Sequence, residues 1–250
     1  MKSIIKLLAV VILFSSSAVK AGSLNDETMY YGFHYYNYIE RTTAQDPFME
    51  LKTQIPTFTL GLRNENAIRS ENSTNKFSYF VEGQIGRVNY SNYLGTGEHA
   101  HNYWVFQTEG VYALPHNFYA GVGFRHLKDY LSVAGEGGYD RQNRLLYLPV
   151  GYTIKNKNDS SVKLQYNILM EGTQISQLSQ IPGYGDLTNA QNEGYGLDLS
   201  YVLPGGSMEL FGKYWNIEDS TTNTSAGTKW IVSGMEPLNE TFEIGIKFAF

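Results

Sequence analysis

The chain has 250 residues, no cysteine and a formal net charge of −5, with a mean hydropathy of −0.31. The lack of cysteine excludes disulfide staples and cysteine-based catalysis, and the acidic balance argues against nucleic acid as a partner. Negative mean hydropathy does not exclude a membrane protein, because the strands of a transmembrane barrel point only alternate residues toward lipid.

The first 21 residues have the pattern of a secretory signal peptide. Two lysines precede an apolar run over 7–14, three serines follow the run, and Ala21 ends the predicted cleavage site. The run is too short for a helix that spans a bilayer, and no later stretch approaches the roughly 20 apolar residues that such a helix needs. We therefore predict an exported protein with a mature barrel domain over 22–250, and an uncleaved anchor is the alternative.

Ten segments of the mature chain alternate apolar and polar residues with the period of a β-strand. The clearest is 161–171, whose apolar side begins with Val162 and Leu164, whereas 28–39 is aromatic on both sides and leaves its phase ambiguous. Each segment is near the 9–11 residues that a tilted membrane strand needs. The predicted strands are 28–39, 51–63, 77–88, 102–113, 118–130, 141–154, 161–171, 193–203, 207–217 and 240–250.

The predicted connections alternate between short and long. Tight turns rich in turn-forming residues are predicted at 115–117, 155–160 and 204–206. Longer loops are predicted at 40–50, 89–101, 131–140, 172–192 and 218–239. Segment 64–76 is the exception, because it is long where a short turn is expected. Short turns at one end and long loops at the other are typical of outer-membrane barrels, and an even number of strands puts both termini at the turn end.

These patterns predict an all-β fold. We expect a closed antiparallel up-and-down transmembrane β-barrel of about ten strands, within a range of eight to twelve. The 20 Tyr, 13 Phe and three Trp residues suit a boundary between membrane and water, where one end of the side chain is apolar and the other is wet. A Tyr-rich soluble β-sandwich is the alternative.

The last strand resembles the closing strand of bacterial outer-membrane barrels, in which a C-terminal aromatic residue is typical. Residues 241–250 read TFEIGIKFAF, so one side of the strand carries large apolar residues alone. The resemblance implies a place in the bacterial outer membrane and insertion by the outer-membrane assembly machinery. The assembly signal that it implies comprises Phe242, Ile244, Ile246, Phe248 and Phe250.

Two internal segments also resemble a known group. GVGFRHL at 121–127 and GYDRQNRLLYLPVG from 138 resemble strand and loop sequences of the small outer-membrane β-barrels, a group that includes opacity-type and OmpA-like barrels. Those barrels have eight strands, so the strand number predicted here departs from theirs. The group is diverse in function, and the resemblance names no specific member.

If the apolar sides of the strands face lipid, the charged residues on the opposite sides face the interior. An Arg or Lys on the lipid face at mid-depth would cost about 2–4 kcal/mol, which favours this inward assignment. The predicted interior charges are Glu82, Glu109, Arg125, Asp129, Arg141, Lys163, Glu171, Asp198, Glu209, Lys213, Glu243 and Lys247.

One register of the last two strands brings opposite charges together. It places Glu209 opposite Lys247 and Lys213 opposite Glu243 on the inner face, and we predict that register. Glu109 and Arg125 are expected to be opposed, or one diagonal step apart, across the turn at 115–117. A ten-strand barrel has a narrow interior, which such pairs would largely fill. A salt-bridged plug is therefore favoured over a selective passage or a catalytic arrangement.

Signals for catalysis are weak, and no cofactor is expected. Glu98-His99-Ala100-His101 has a metal-like spacing but falls in a predicted loop without a second ligand cluster. The paired motifs of omptin proteases are absent, and so is the Ser two positions after a His found in outer-membrane phospholipases and deacylases. An enzyme with His and Ser on separate loops is not excluded by sequence, and His126 is the most accessible candidate.

Three functions follow from these patterns. The leading hypothesis is a non-enzymatic outer-membrane barrel that is structural or contacts an extracellular ligand through its loops 172–192 and 218–239. The first alternative is a narrow channel for small solutes, and the second is a lipid-modifying enzyme. The expected partners are outer-membrane lipid, the assembly machinery and a ligand of the loops.

Overall fold

The structure, a computed structural model, describes residues 27–42, 46–69, 76–92, 99–134, 138–156, 158 and 160–250. The predicted signal peptide lies outside these residues, and so does Glu98 of the metal-like spacing. No helix in the described part of the chain has the length and hydropathy needed to cross a bilayer.

Strands dominate the fold. They are β1 (Thr28–Arg41), β2 (Pro47–Thr53), β3 (Thr57–Asn64), β4 (Phe77–Asn92), β5 (His99–Ala113), β6 (Phe118–Asp129), β7 (Arg141–Lys155), β8 (Ser161–Ser176), β9 (Leu187–Ala190), β10 (Gly194–Val202), β11 (Met208–Ile217), β12 (Asn223–Ala226), β13 (Ile231–Gly234) and β14 (Leu238–Ala249). One short helix, α1 (Asn66–Arg69), follows β3.

These strands close into an antiparallel barrel with ten strand positions around its wall, as predicted. β2 and β3 share one of these positions, since both pair with β1, and the strand is interrupted before Thr57. β9 and β10 share another position, since both pair with β8. The barrel closes where β14 pairs with β1, from Tyr30 opposite Ala249 to Arg41 opposite Leu238. A small hairpin of β12 and β13 lies outside the barrel sheet.

The predicted strands agree with the observed ones except near the loop end. β4 and β5 continue through 89–92 and 99–101, and β8 continues through 172–176, where loops were predicted. The predicted strand 51–63 is divided, because Pro56 has no N–H to donate to a sheet ladder. Strand pairing therefore extends farther toward the loops than the apolar alternation does.

The prediction that Glu171 faces the interior is wrong. The register of β7 against β8 shifts between Leu146 and Tyr147, where Leu146 is opposite Glu171 and Tyr147 is opposite Leu169. Met170 is the extra residue of this β-bulge, and a bulge reverses the faces of all residues beyond it. Glu171 is consequently exposed on the outer wall.

The turn end of the barrel is compact. The tight turn Pro115–Asn117 holds His116 and Asn117 at φ of 58° and 63°, a conformation that Asn tolerates better than most residues do. The turn after β10 uses Gly205 at φ 85° and Gly206 at φ 74°. α1 folds inward, and Ala67 and Ile68 are buried.

Five inward glycines each lie directly opposite an aromatic residue of the neighbouring strand. The pairs are Gly61–Tyr30, Gly86–Tyr103, Gly123–Tyr147, Gly151–Tyr119 and Gly196–Trp215. A Cβ added at any of these glycines would come within 2.1–2.9 Å of the facing ring. Each ring therefore occupies the space that a side chain at the facing position would need.

The outer wall is apolar and exposed. Tyr35, Val122, Leu199 and Ile244 are 52–55% exposed, although a soluble β-protein would bury most of such a strip. The assembly-signal residues of β14 lie on this wall, where Phe242 and Phe250 are exposed. The interior, by contrast, is mostly polar and buried.

Candidate functional site

Most of the charged side chains inside the barrel belong to one of two groups. The turn-end network consists of Arg63, Glu65, Arg69, Glu82, Lys163, Glu209, Lys213 and Lys247. The loop-end network consists of Glu40, Asp129 and Arg141. Buried ions at such depth need partners, and each member of both networks has one.

Glu82 is the centre of the turn-end network. Its Oε1 lies 2.9 Å from Lys213 Nζ, and its Oε2 lies 2.7 Å from Lys247 Nζ. Tyr30 donates a hydrogen bond of 2.8 Å to Oε2, and Gln84 donates one of 3.0 Å to Oε1. Glu82 is 1% exposed, so this one carboxylate offsets two ammonium groups without help from bulk water.

The residues around α1 close the turn end from inside. Glu65 lies 2.8 Å from Arg69 Nε, 3.1 Å from Lys163 Nζ and 3.5 Å from Arg63 Nη1. Arg63 and Arg69 both pair with Glu209 as well. Burial alone would raise the pKa of Glu65, but Arg69, Lys163 and Arg63 lower it to about 2, so the carboxylate is ionised at neutral pH. Residues 64–69 of the long link 64–76 thus bring buried charges into the interior.

The loop-end network is built on Arg141. Its Nη1 lies 2.6 Å from Glu40 Oε1, and its Nη2 lies 2.9 Å from Asp129 Oδ2. Tyr38 donates a hydrogen bond of 2.9 Å to the same oxygen of Glu40. Two carboxylates therefore share one guanidinium, whose planar fork suits such bridging.

An apolar layer lies between the two networks. On one wall it comprises Tyr36, Tyr38, Met49, Leu51, Val88, Tyr103, Val105 and Leu127, and on the other Leu145, Tyr147, Leu169, Trp215 and Ile217. Trp215 and Tyr147 pack edge to face with ring centroids 5.1 Å apart. The buried Arg125–Glu243 ion pair lies within this layer, since Arg125 is opposite Leu145 and Glu243 is opposite Tyr36.

The space left inside is small. One cavity of about 20 Å³ lies beside Arg125, Arg141 and Trp215, and another of about 30 Å³ lies beside Glu65 and Lys163. A water molecule needs roughly 10–15 Å³ of such space, so each cavity has room for one or two waters. The side chains described here therefore plug the barrel.

The predicted register of β11 and β14 is confirmed. Glu209 is opposite Lys247, and Lys213 is opposite Glu243. Their ion pairs nevertheless run across the barrel, since both lysines contact Glu82. In a narrow barrel a side chain from another wall lies as near as the opposed residue, so register alone does not determine the partner.

Glu109 and Arg125 are one diagonal step apart, as one of the two predicted arrangements has it. Arg125 is opposite Gln107, and its Nη2 lies 3.2 Å from Glu243 Oε1 instead of reaching Glu109. Glu109 accepts hydrogen bonds from Gln165 at 2.9 Å and from Tyr147 at 3.2 Å. It is thus held by neutral donors.

The structure buries ten of the twelve charges that the sequence assigns to the interior. They are Glu82, Glu109, Arg125, Asp129, Arg141, Lys163, Glu209, Lys213, Glu243 and Lys247. Asp198 is partly buried and accepts a hydrogen bond of 3.2 Å from Gln165, whereas Glu171 faces outward. Sequence reasoning missed Glu40, Arg63, Glu65 and Arg69, two of which lie beside predicted strand ends. The segment at 64–76 was the signal for the other two, since an unexpectedly long link often carries structure of its own.

Among the residues that the structure describes, no group of three or more His, Cys, Asp or Glu side chains is arranged to hold a metal ion. His101 lies in β5 and is buried, so the expectation that it belongs to a solvated loop is wrong. His126 faces outward and packs against Trp104, with ring centroids 4.9 Å apart.

Two long connections form a cap at the loop end. This loop-end cap consists of residues 177–186 and 218–237. Gly183 O accepts hydrogen bonds of 3.0 Å from the N–H groups of Lys229 and Trp230, and the rings of Tyr184 and Trp230 stack. Trp230 is 56% exposed and Ile231 is 76% exposed, so the cap presents apolar side chains to its surroundings.

Comparisons with known proteins give no family. No protein-family model matches the sequence, and no curated protein matches it. The fold is similar to that of the outer membrane protease OmpT from Escherichia coli, at 9% identity and a TM-score of 0.43 over 92% of this chain and 99% of that one. At such identity and TM-score, the likeness assigns no activity.

Two autotransporter structures are similar in the same way. The β domain of the Bordetella autotransporter BrkA has 10% identity and a TM-score of 0.45, over 90% of this chain and 100% of that one. The translocator domain of NalP from Neisseria meningitidis has 11% identity and a TM-score of 0.40, over 99% and 97% of the two chains. The assignment of a barrel fold therefore depends on the strand pairing described above.

Proposed function

We propose that this chain is a non-enzymatic integral barrel of a bacterial outer membrane, with a plugged interior and a loop-end cap that contacts an extracellular ligand. Membrane insertion is supported by the inverted distribution of polarity, since exposed apolar side chains cover the wall while ion pairs fill the inside. The aromatic face of β14 is the proposed signal for the assembly machinery.

The plugged interior is the observation that carries the proposal. Interior cavities of about 20 and 30 Å³ are too small for a continuous water column, and buried apolar side chains and ion pairs surround them. A solute would have to displace buried ion pairs, each of which costs several kcal/mol to break. This arrangement supports a scaffold over the alternative of a narrow channel.

The refolded protein is expected to show no discrete conductance steps in a planar bilayer. Its insertion is verified by the resistance of the barrel to protease in vesicles made from the same lipid. A sixteen-strand porin in the same apparatus is the positive control, because its water-filled lumen conducts. Reproducible unitary steps from the inserted protein would contradict the plug and favour the channel.

The orientation of the barrel follows from its two unequal ends. The short turns 114–117, 156–160 and 203–207 lie at the same end of the barrel as Thr28 and Ala249, and the two long connections of the loop-end cap lie at the opposite end. Short periplasmic turns and longer outer loops are typical of outer-membrane barrels. The loop-end cap is consequently the surface that we propose for contacts outside the cell, as binding usually resides on loops held by a rigid scaffold.

Introduced cysteines test this orientation cleanly, because the natural chain has none. Thr222→Cys lies at an exposed position of the cap, and Asn158→Cys is its matched control in an exposed turn at the other end. A membrane-impermeant maleimide should label Thr222→Cys on intact cells and label Asn158→Cys only after the outer membrane is permeabilised. The reverse pattern would mean that the cap faces the periplasm.

A further inference from the structure

The outer wall of β4 to β7 carries basic side chains near the loop end. This outer basic patch consists of Arg87 on β4, Lys128 on β6 and Arg144 on β7. Each alternates with buried inward residues of its own strand, and Arg87 and Arg144 are exposed. Their position on the lipid-facing side sets them apart from the interior networks.

The patch lies at the border of the apolar wall. Toward the turn end, the next outward residue after Arg144 is Leu146, which is 39% exposed, and the wall continues with Val150 at 41%. Trp104 is opposite Lys128, and its Nε1 donates a hydrogen bond of 3.1 Å to the Oη of Tyr130, which lies on the loop-end side of Lys128. Apolar side chains on the turn-end side and the amphipathic rings of Trp104 and Tyr130 are typical of the boundary between the acyl chains and the headgroups of a bilayer.

The basic groups of the patch have few protein anions to pair with. Lys128 Nζ lies 3.6 Å from Asp140 Oδ2 and over the ring of Tyr130, while Arg144 donates a hydrogen bond of 3.1 Å to Gln142. Within the described ranges of the chain, neither Arg87 nor Arg144 has a carboxylate in ion-pair contact. The outward Glu171 is a diagonal neighbour of Arg144 and makes no ion pair with it.

The spacing of these groups is set by the strand register. Arg144 is opposite His126, so Lys128 is its diagonal neighbour at about 7–8 Å, close enough to share one anion. Arg87 is opposite Asn102, which neighbours Tyr130 at the end of β6, so Lys128 lies two strands and two residues from Arg87. At about 4.8 Å per strand and 3.4 Å per residue, their Cα atoms are about 12 Å apart, and Arg144 is farther from Arg87, at about 20 Å. One phosphate cannot bridge that span, whereas a headgroup with a phosphate at each end can.

We propose that the outer basic patch binds a membrane lipid whose headgroup carries two phosphates. Lys128 and Arg144 hold one phosphate, Arg87 holds the other, and the acyl chains lie against Leu146 and the neighbouring apolar wall. Guanidinium groups bind phosphate with two parallel hydrogen bonds, and basic residues at the interface cost little compared with the bilayer midplane. The inference depends on the proposed insertion into a membrane.

The test compares lipids retained by the full mature protein after reconstitution and gentle detergent extraction, measured by native mass spectrometry. The vesicles are phosphatidylethanolamine alone or mixed with bisphosphorylated lipid A, monophosphorylated lipid A or phosphatidylglycerol. We expect preferential retention of the bisphosphorylated lipid. The double variant R87Q/R144Q should weaken that retention by about tenfold or more, whereas K76Q/K155Q, which removes two charges at the turn end, should leave it unchanged.

Insertion is measured in every vesicle by protease resistance, so the two proposals fail separately. If the protein inserts but retains all four lipids equally, the lipid site is wrong and the membrane barrel stands. If monophosphorylated lipid A or phosphatidylglycerol is retained as well as the bisphosphorylated form, the two-phosphate site is wrong and the patch is a general anionic surface. If no vesicle takes up the protein, membrane insertion itself is contradicted.

Discussion

Glu82→Gln should lower the free energy of unfolding of the barrel by about 3–5 kcal/mol. The substitution keeps the size of the side chain but removes the charge that Lys213 and Lys247 share at 2.9 and 2.7 Å. Two ammonium groups then remain buried without a carboxylate in ion-pair contact. Removing one partner of a buried ion pair costs far more stability than replacing both partners with apolar residues. Urea unfolding of the protein refolded into lipid vesicles, followed by tryptophan fluorescence, measures the change.

The matched control is Glu193→Gln, which removes the same charge from an exposed position and should change stability by less than about 0.5 kcal/mol. Combining Glu82→Gln with Lys213→Met removes one of the stranded ammonium groups, so the double variant should be more stable than Glu82→Gln alone. Equal effects for Glu82→Gln and Glu193→Gln would show that the network contributes nothing measurable.

Gly123→Ala should destabilise the barrel by about 1–3 kcal/mol, the usual cost of overpacking a filled core. The new Cβ would lie 2.1 Å from the ring of Tyr147, which is fully buried. The ring has little room to retreat, because Tyr147 accepts a hydrogen bond of 2.8 Å from Gln107 and packs against Trp215. The free energy of unfolding in urea is again the measurement.

Gly83→Ala is the matched control, since Gly83 faces outward and nothing lies within 4 Å of a Cβ added there. We expect it to be neutral or stabilising by up to about 1 kcal/mol, because alanine has less conformational freedom to lose on folding. Adding Tyr147→Leu to Gly123→Ala should cost less than the sum of the two single changes. Simple additivity would mean that ring and glycine are not coupled.

Strand positions could be predicted from the sequence because a strand with one face in lipid or in a core carries apolar residues at every second position. Helices and loops do not have this period of two. The same alternation gave the register of β11 against β14, in which opposite charges match at two positions. A bulge has no such signature. Met170 is an ordinary apolar residue, and nothing near it predicts that Glu171 would turn outward.

The candidate site was harder to predict than the fold. Pairing across the barrel depends on which walls face each other, so the contact of both Lys213 and Lys247 with Glu82 needs the closed structure. Glu65 and Arg69 lie outside any alternating segment, where neither face nor depth can be inferred. Arg87 and Arg144 do lie in predicted strands, but a charge at the membrane boundary has the same sequence pattern as one in solvent.

The glycine–aromatic pairs make the pairing of β6 with β7 hard to mistake during assembly. Alternation tolerates a slip of two residues, because inward side chains stay inward. A slip in one direction would put Tyr119 opposite Pro149, and a slip in the other would put Tyr147 opposite Arg125. Either way a bulky ring no longer faces a glycine, so a misaligned hairpin has a steric conflict that the native register avoids.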